Sequence, residues 1–460
     1  MEKDIQEAIE FQRKRLFSAL SSPEIVEACT VNNGIVQLNP TDLEEIQLFA
    51  KSYSKSITFF IPASGVGSRM FDFLQQFLGS MGHEQAEEVG LFRSHIKSFA
   101  FFDDLNEEWK GRIQDPQVDL IAFCDYLLGA QGMNFSATPK ALFPFHRVKN
   151  FNQSPLEGHL RLGSNFQRPI SLFHFTVQKE HIEQLMLQRT ALLPSLKFDL
   201  EFSVQAQESD SFVFDELMQL VKNQNDSLVR KPAGHGAILQ NLNSIESDII
   251  FIKNIDNIQC PSHDAEVNEA WALLGDILIF IYESLKRALA SKNIAEFIEV
   301  AKRFELIEKN QTYSDWDQLE EIIKQPLRVG GMVKNEGMPG GGPFWVKHKK
   351  KISKQIIEKS QIDMAHFSKL TESTHFNPVM MAITPYNLLG EKLDLSKFTR
   401  EDLSIAVKKN HFGKTVYYLE KPGLWNGSMY FWNTVFIEIP SKVFSPVKNV
   451  MDLLNPSHTC

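Results

Sequence analysis

The feature that most constrains the fold is the stretch at residues 55–81, "KSITFFIPASGVGSRMFDFLQQFLGSM". Its apolar run predicts a buried strand, its glycines predict a tight turn, and the apolar spacing after the turn predicts a helix. A strand, a loop and a helix in this order form the usual opening unit of a doubly wound α/β fold. Ligands of such folds bind beyond the carboxyl ends of the strands, so this loop is the first candidate for a binding site.

Short runs rich in Ile, Val and Phe predict further strands. These runs are "ISLFHFTV", "FDLEFSVQ", "DIIFIKNID", "KTVYYLE" and "NTVFIEIP". We interpret "VGGMVKNEGMPGGGPFW" as a glycine-rich loop and the basic run "VKHKKKISKQ" as a solvated loop or the start of a helix. The pattern as a whole therefore predicts an α/β fold.

Helical periodicity elsewhere predicts how the chain is organised. Residues 1–52 are expected to form an N-terminal helical segment. Residues 53–460 are expected to form one large α/β domain with helical insertions at about 80–135 and 262–325.

Composition and charge exclude several classes of protein. The net charge of -9 argues against a dedicated nucleic-acid binder, which normally presents a basic face. The most apolar stretch, "WALLGDILIFIYESL", is interrupted by Asp276 and is too short to span a bilayer, so no membrane association is expected. The four cysteines form no C-x-x-C pair, so we expect neither a disulfide framework nor a structural zinc site, and the cytoplasm is the expected location. Nothing in the sequence indicates an oligomeric state.

The loop at 61–70, "IPASGVGSRM", carries the first chemical signal. Gly65 and Gly67 let the backbone turn tightly and present N–H groups to an anion, although an ordinary structural turn is the alternative. The loop lacks the lysine of a Walker loop and the third glycine of a dinucleotide fingerprint. It resembles the signature A-x-G-x-G-[ST]-R-[ML] of the sugar nucleotidyltransferases, the sugar-1-phosphate pyrophosphorylases. The resemblance implies that Ser64, Gly65, Gly67 and Ser68 bind the nucleotide and that Arg69 is a catalytic residue beside the pyrophosphate.

Three further elements follow in the order found in that family. "PKALFPFH" resembles the P-K-x-L-x-P element and makes Lys140 a phosphate ligand, where a solvated lysine is the alternative. "KNIDN" resembles the strand end whose Asp binds magnesium, which implies Mg2+ on Asp256 and the nucleotide beside Asn257. One carboxylate completed by phosphate oxygens and water is a ligand set that Mg2+ accepts. "FSPVKNVMDLL" resembles F-x-P-V-K-x-x-x-D-L-L of the eukaryotic-type UDP-sugar pyrophosphorylases, which implies a catalytic Lys448 on a phosphate.

Another resemblance concerns the base. "RKPAGHGAIL" resembles the P-x-G-H-G turn that holds base and ribose in UDP-sugar pyrophosphorylases, which implies nucleotide contacts from Gly234, His235 and Gly236. A helix N-terminal turn is the alternative for these residues. Gln205, directly after a predicted strand, is a further candidate for reading the base.

The sugar site has no clean counterpart of the family's N-G-x-x-x-x-E-[YF] element. One candidate is Asn335, Glu336 and Gly337 in "VKNEGMPGGGPFW". The other is Asn377 in "STHFNPV".

Together these resemblances imply a Rossmann-like (GT-A-type) nucleotidyltransferase sheet in residues 53–460, bearing a Mg2+-dependent catalytic site. The partners implied are a sugar 1-phosphate and a nucleoside triphosphate, with UTP suggested by the P-x-G-H-G turn, and the products are a nucleotide sugar and pyrophosphate. The chain also resembles an uncharacterised bacterial domain family in which "PASG", "KPAGHGA", "KNIDN" and "WNGSM" recur. A non-catalytic sensor of nucleotide sugars with the same fold remains open. A glycosyltransferase would require a D-x-D metal motif, which is absent from the expected context.

Overall fold

A computed structural model of the chain describes most of its residues. The described ranges are 2–17, 22–65, 67–205, 210–223, 225–336, 341–362, 367–411 and 414–460.

Helices and strands are numbered here in chain order. The helices are α1 (Glu2–Leu16), α2 (Pro40–Lys51), α3 (Asp72–Gly79), α4 (Ala86–Ser94), α5 (Glu107–Arg112), α6 (Leu120–Leu128), α7 (Pro155–Ser164), α8 (Ile182–Leu192), α9 (Leu239–Asn243), α10 (Asp264–Ala290), α11 (Ile294–Arg303), α12 (Glu320–Lys324) and α13 (Phe367–Thr371). The strands are β1 (Glu24–Ala28), β2 (Thr30–Val31), β3 (Gly34–Val36), β4 (Ile57–Pro62), β5 (His146–Val148), β6 (Phe151–Gln153), β7 (Leu172–Val177), β8 (Asp199–Val204), β9 (Ser211–Phe212), β10 (Arg230–Lys231), β11 (Ile249–Lys253), β12 (Leu327–Lys334), β13 (Gly342–His348), β14 (Lys351–Ile357), β15 (His375–Phe376), β16 (Met380–Thr384), β17 (Ile405–His411), β18 (Lys414–Glu420) and β19 (Asn433–Glu438).

The chain divides into two compact units, each assembled from three separate stretches of sequence. Unit 1 consists of Met1–Phe60, Ser203–Ile252 and Leu273–Ser441. Unit 2 consists of Ile61–Phe202, Lys253–Ala272 and Lys442–Cys460. The expected domains at 1–52 and 53–460 remain a prediction.

Unit 1 is built on a mostly parallel sheet. Its strands follow the order β2-β3-β19-β12-β16-β11-β4, with β2–β3, β3–β19, β19–β12 and β11–β4 paired in parallel and β16 antiparallel to β12. In β4, Phe59 and Phe60 are both buried although they point to opposite faces, as expected for a strand covered on both sides. The predicted α/β fold is therefore confirmed.

The glycine-rich segment after residue 326 is a strand where the sequence analysis expected a loop. β12 contains Gly330 and Gly331, and a Cβ on Gly331 would lie 2.5 Å from the side chain of Ile439. Glycine is required at this position because a neighbouring side chain fills the space, not because the chain turns. The basic run "VKHKKKISKQ" likewise belongs to an antiparallel hairpin, β13–β14, so its interpretation as a loop or helix start was wrong.

The helical predictions agree with the structure in two places. Helices α4, α5 and α6 lie within the region 80–135, and α10, α11 and α12 occupy most of 262–325. The N-terminal segment contains α1 and α2 and, between them, three short strands that the sequence analysis did not predict. In the described part of the chain, no helix is both long and apolar enough to cross a membrane.

Unit 2 contains β7 and β8 with helices α3 to α8, and its core is rich in phenylalanine. Phe71, Phe101, Phe135 and Phe143 contact one another with ring centroids 4.8–5.6 Å apart. Edge and offset contacts of this kind fix the positions of the rings as well as burying area. The loop that follows β4 is placed against this core, because Phe71 closes the 3₁₀ turn Gly67–Phe71.

One expectation about the cysteines was wrong. Cys260 and Cys460 of unit 2 form a disulfide with their Cα atoms 5.4 Å apart, whereas Cys29 and Cys124 are buried free thiols. Spacing in sequence could not reveal this pair, because the two residues are 200 positions apart and only folding brings them together.

Candidate active site

Asp256 is the centre of a charged cluster in unit 2. It lies three residues after the end of β11, in the turn that the strand leads into, and only 6% of the residue is exposed. Two neighbours fix the turn: the backbone N–H of Val447 donates to the carbonyl of Asp256 at 3.0 Å, and the imidazole Nε2 of His159 donates to the carbonyl of Ile255 at 3.0 Å. The carboxylate therefore stands at the carboxyl end of a buried strand, as the sequence analysis expected.

Two lysines bind the same oxygen of this carboxylate. The Nζ of Lys140 lies 3.0 Å from Oδ2 of Asp256, and the Nζ of Lys448 lies 2.7 Å from it. The two lysines differ in exposure, since the Lys140 side chain is 12% exposed and that of Lys448 is 62% exposed. Lys140 is thus a fixed part of the site, and Lys448 reaches it from the solvent side.

Electrostatics keep this carboxylate ionised. Burial opposes ionisation of Asp256, but Lys140 and Lys448 outweigh burial and hold the pKa of the carboxyl below its usual value. Burial lowers the pKa of Lys140, and only part of that change is offset by Asp256.

The glycine loop and the Lys140 segment are joined through their backbones. The N–H of Gly67 donates to the carbonyl of Thr138 at 3.0 Å, and the N–H of Lys140 donates to the carbonyl of Gly65 at 3.3 Å. Loop and lysine therefore form one backbone unit, although seventy-odd residues separate them in sequence.

The two loop glycines have different surroundings. A Cβ on Gly67 would lie 3.2 Å from the carbonyl oxygen of Thr138, whereas a Cβ on Gly65 would have nothing within 4 Å. Gly65 is exposed, Ser64 and Ser68 are half-buried, and Arg69 is exposed on the 3₁₀ turn Gly67–Phe71. Gly67 is thus explained by packing, and Gly65 borders open space that a ligand could enter.

The C-terminal segment that carries Lys448 is tied to the turn around Asp256. The carboxamide oxygen of Asn257 accepts a hydrogen bond from the backbone N–H of Ser445 at 3.1 Å. Oδ2 of Asp452 accepts hydrogen bonds from the backbone N–H groups of Lys448 at 2.7 Å and Asn449 at 2.8 Å. Asn257, predicted to bind the nucleotide, therefore orients this segment through its side chain.

His159 and Asp452 are positioning residues that the sequence analysis missed. Asp452 had a detectable signal, because Asn449 and Asp452 have the spacing of a capping box. His159 had none, since a histidine on a helix of apolar character is normally a core residue, and its contact with Ile255 spans 96 positions of sequence.

The carboxylate of Asp256 is suited to binding a metal ion. Its second oxygen, Oδ1, is buried and has no hydrogen-bond partner in the described part of the chain, which is unusual for a charged atom. Mg2+ is bound by one or two carboxylates together with phosphate oxygens and water, so a single free carboxylate oxygen beside a phosphate site is an adequate protein contribution.

The candidates for base recognition lie in unit 1. A Cβ on Gly234, which has φ +71, would lie 2.8 Å from the carboxylate of Glu420, and one on Gly236 would lie 2.1 Å from the carbonyl of Pro422. These glycines are therefore required because the chain around 420–422 lies too close to the turn for a side chain. Packing alone thus explains the glycines of this motif. His235 stacks on Trp425 with ring centroids 4.0 Å apart and accepts a hydrogen bond at Nδ1 from the N–H of Leu424.

Gln205 is half-buried at the end of β8, with its Nε2 3.5 Å from the carboxylate of Asp210.

The sugar candidates lie around the paired ends of β12 and β15 in unit 1. Lys334 pairs with His375, and the N–H of Asn335 donates to the carbonyl of Thr374, so Asn335 lies beside the start of β15, whereas Asn377 follows the end of β15. Asn377 is buried, and its side-chain oxygen accepts from the N–H of Val379 at 3.0 Å. Glu336 is exposed, and Gly337 lies outside the described residues.

Unit 2 contains the phosphate and metal candidates: Ser64, Gly65, Gly67, Ser68, Arg69, Lys140, Asp256, Asn257 and Lys448. The candidates for base and sugar belong to unit 1: Gln205, Gly234, His235, Gly236, Asn335, Glu336 and Asn377. The roles of both groups stay predictions.

Comparison with known families and structures gives three findings. A family model described as a domain of unknown function, DUF4301, matches residues 1–459. No curated protein sequence matches the chain.

Solved structures resemble the chain at low identity. A structure titled UDP-glucose phosphorylase from Trypanosoma brucei is 13% identical, with 99% of this chain and 74% of that chain covered and a TM-score of 0.48. The uridine diphosphate N-acetylglucosamine pyrophosphorylase of the same organism is 12% identical over the same shares, also with a TM-score of 0.48. A nucleoside-diphosphate-sugar pyrophosphorylase from Vibrio cholerae RC9 is 9% identical, with 69% of this chain and 90% of that chain covered and a TM-score of 0.30.

Proposed function

We propose that this chain, which belongs to the DUF4301 family, is a nucleotidyltransferase that joins a sugar 1-phosphate to a nucleoside triphosphate and releases pyrophosphate. The observation that carries the proposal is the cluster in unit 2, where Lys140 and Lys448 meet the buried carboxylate of Asp256. The glycine loop supports it, because Gly65 is bonded through its backbone to Lys140 and borders open space.

The reaction requires positioning and charge neutralisation more than covalent catalysis. A nonbridging oxygen of the sugar phosphate attacks the α-phosphorus, the new P–O bond forms, and the bond from the α-phosphorus to the bridging oxygen of the β-phosphate breaks. The electron pair of the broken bond leaves with pyrophosphate. Bound Mg2+ would neutralise phosphate oxygens and hold them in line.

The residues of the cluster have separate parts in this scheme. Lys140, largely buried and held 3.0 Å from the carboxylate of Asp256, is proposed to hold the α-phosphate. Lys448, which is mostly exposed, is proposed to turn from Asp256 to the incoming phosphates. Arg69 and the loop amides are proposed to steady the leaving pyrophosphate, with Ser64 and Ser68 beside them. Asp256 is proposed to hold Mg2+ through Oδ1, which is the oxygen without a partner.

Specificity is proposed on the sequence resemblances. Uridine is the proposed base, read by the turn at Gly234, His235 and Gly236 with help from Gln205. The sugar is proposed to meet the strand ends that carry Asn335, Glu336 and Asn377. We place the enzyme in the cytoplasm, where nucleoside triphosphates are available, and expect neither nucleic acid nor a membrane as a partner.

The test is a screen for pyrophosphate release that crosses the four common nucleoside triphosphates with a panel of sugar 1-phosphates in the presence of Mg2+. We expect turnover with UTP and one sugar phosphate, and none in a chelator. Lys140→Ala should remove turnover, and Lys442→Ala, a charge change at an exposed residue of the C-terminal segment, should not.

Tight binding of UDP-sugars without turnover for any pair would contradict catalysis and identify the chain as a sensor of nucleotide sugars. Unchanged turnover in Lys140→Ala would contradict the assigned phosphate site.

A further inference from the structure

Unit 2 contains a second cluster of side chains that could bind a metal, and none of them has a role in the proposed reaction. It contains His146 at the start of β5, Cys260, and Cys460. An imidazole nitrogen of His146 and the two sulfurs all lie within 4.8 Å of one another. His146 and Cys260 are buried, and Cys460 is exposed.

The hydrogen bonds of a neighbouring histidine decide where the protons of this cluster are. Nε2 of His458 lies 3.0 Å from the hydroxyl oxygen of Ser445 and 3.1 Å from its carbonyl oxygen, and because a carbonyl oxygen only accepts, we assign the proton to this nitrogen. A neutral imidazole carries a proton on only one of its two nitrogens. Nδ1 of His458 is therefore an acceptor.

The proton of His146 follows from this arrangement. Its Nε2 lies 2.9 Å from Nδ1 of His458 and must donate to it. Its Nδ1 is then left with an unshared electron pair. This atom is buried, in a residue only 1% exposed, and has no hydrogen-bond partner in the described part of the chain. A buried acceptor without a partner is destabilising, so its retention beside two cysteines calls for a ligand.

We propose that Cys260, Cys460 and Nδ1 of His146 form a zinc site whenever the disulfide is reduced. Two thiolates and one imidazole are a ligand set suited to Zn2+ and poorly suited to Mg2+, which prefers oxygen. His458 would be the outer-shell residue, because its hydrogen bond to His146 fixes the tautomer and the orientation of the ligating ring. Three protein ligands leave a fourth position for water.

The exchange between the two states balances. A phosphine supplies two electrons and the S–S bond breaks, while one water molecule supplies the two protons that complete the thiols and the oxygen that converts the phosphine to its oxide. Zn2+ then displaces both thiol protons and binds the two thiolates. Disulfide and zinc exclude each other, because each uses the same two sulfurs.

The site has a structural consequence for the C-terminal segment. The N–H of Cys260 donates to the carbonyl of Ser457 at 3.0 Å, so a bridge from residue 260 to residue 460 holds the end of this segment in place. A disulfide supplies that bridge in oxidising surroundings, and zinc supplies it in reducing ones. The proposal is independent of the nucleotidyltransferase activity.

Binding of the metal alone tests the proposal. Full-length protein is reduced with a phosphine, freed of metal, and titrated with Zn2+ in competition with a chromophoric chelator. We expect one Zn2+ per reduced chain and none per oxidised chain. Co2+ in place of Zn2+ should give a thiolate-to-cobalt charge-transfer band and the intense visible bands of a tetrahedral site.

Variants assign the ligands. Cys460→Ser changes an exposed residue and should fold normally, yet lose the charge-transfer intensity of one thiolate and weaken zinc binding by about 100-fold or more. His146→Gln should weaken binding comparably, and Cys124→Ser, at the other cysteine of unit 2, should bind as the unaltered protein does. Equal zinc binding by oxidised and reduced protein, or by Cys460→Ser and the unaltered protein, would overturn the site.

Discussion

The two lysines on Asp256 make the cluster a site for anions before any ligand arrives. Two ammonium groups and one carboxylate give a local charge of +1, and both lysines donate to Oδ2. A net positive site set in a partly buried surface attracts phosphate and repels a free cation. Asp256 is therefore expected to bind Mg2+ only together with a polyphosphate, whose charge reverses the sign of the site.

Removal of Lys448 should separate catalysis from stability. Lys448→Ala is expected to lower kcat/KM by about 10²–10³-fold, the usual effect of losing one charge-stabilising donor. Its side chain is 62% exposed, so the free energy of unfolding should change little. Steady-state kinetics and urea unfolding measure the two effects.

The matched control is Lys442→Ala, because Lys442 is 59% exposed in the same segment and pairs with the partly exposed Glu266. It should leave kcat/KM unchanged. Equal losses in the two variants would mean that general charge, and not the position of Lys448, matters.

The contrast between the loop glycines leads to a second prediction at single residues. Gly65→Ala adds a methyl group where no atom lies within 4 Å, so the protein should keep its stability while KM for the nucleotide rises. Gly67→Ala places a methyl 3.2 Å from the carbonyl of Thr138 and should destabilise the fold by about 1 kcal/mol. Nucleotide titration and thermal unfolding of both variants provide the measurement. An unchanged KM in Gly65→Ala would show that the ligand does not approach this face of the loop.

At the scale of elements, β11 contains a buried ionisable side chain, and it also leads into the turn that carries Asp256. Lys253, its last residue, is 1% exposed, and its Nζ has no hydrogen-bond partner in the described residues. Burial lowers its pKa to about 7, although Asp264 opposes the change. The folded state thus prefers the neutral amine, while the unfolded chain keeps the proton up to about pH 10.5.

This buried lysine predicts a pH dependence of stability. Between pH 7 and 10.5 the unfolded state binds more protons, so the free energy of unfolding should rise with pH by up to about 1.4 kcal/mol per unit. This contribution is fully present above the unfolded pKa and is lost as pH falls to about 7. Lys253→Met should remove the rise and stabilise the protein at neutral pH. Urea unfolding across this range, compared between the two proteins, measures it, and equal slopes would show that Lys253 stays charged in the folded state.

The elements differ in how far sequence alone could predict them. The strands β4, β7, β8, β11, β18 and β19 were predicted, because short runs of Ile, Val and Phe bounded by polar residues can hardly form anything else. β12 was missed because Gly330 and Gly331 resemble loop residues, and only tertiary packing explains them, with Phe436 beside Gly330 and Ile439 beside Gly331. The disulfide was missed for a similar reason, since contact across the chain leaves no local signal.

At the scale of the whole molecule, the sequence could predict those site residues that lie in short motifs after buried strands. Asp256 follows β11 and Gly65 follows β4, so the fold alone places them at carboxyl strand ends, where ligands bind. The motif at Gly234 and Gly236 gave a weaker prediction, because the same glycines serve the packing of Glu420 and Pro422. A motif is informative about a ligand only where packing leaves its residues unexplained, as at Gly65 and Oδ1 of Asp256.

The free energy of unfolding, measured with and without ligands, tests the order of binding that the charges of Lys140, Lys448 and Asp256 require. UTP with Mg2+ at 100 times the dissociation constant should raise the free energy of unfolding by about 2.7 kcal/mol, since the ligand binds only the folded state. MgCl2 alone should change it little, because the free site carries a net positive charge. Asp256→Asn should keep stabilisation by UTP but lose the part that depends on Mg2+. Thermal and urea unfolding with each ligand combination measure these effects. Stabilisation by Mg2+ without nucleotide would mean that Oδ1 of Asp256 binds the metal first, and the lysines would then have to leave the carboxylate before the phosphates arrive.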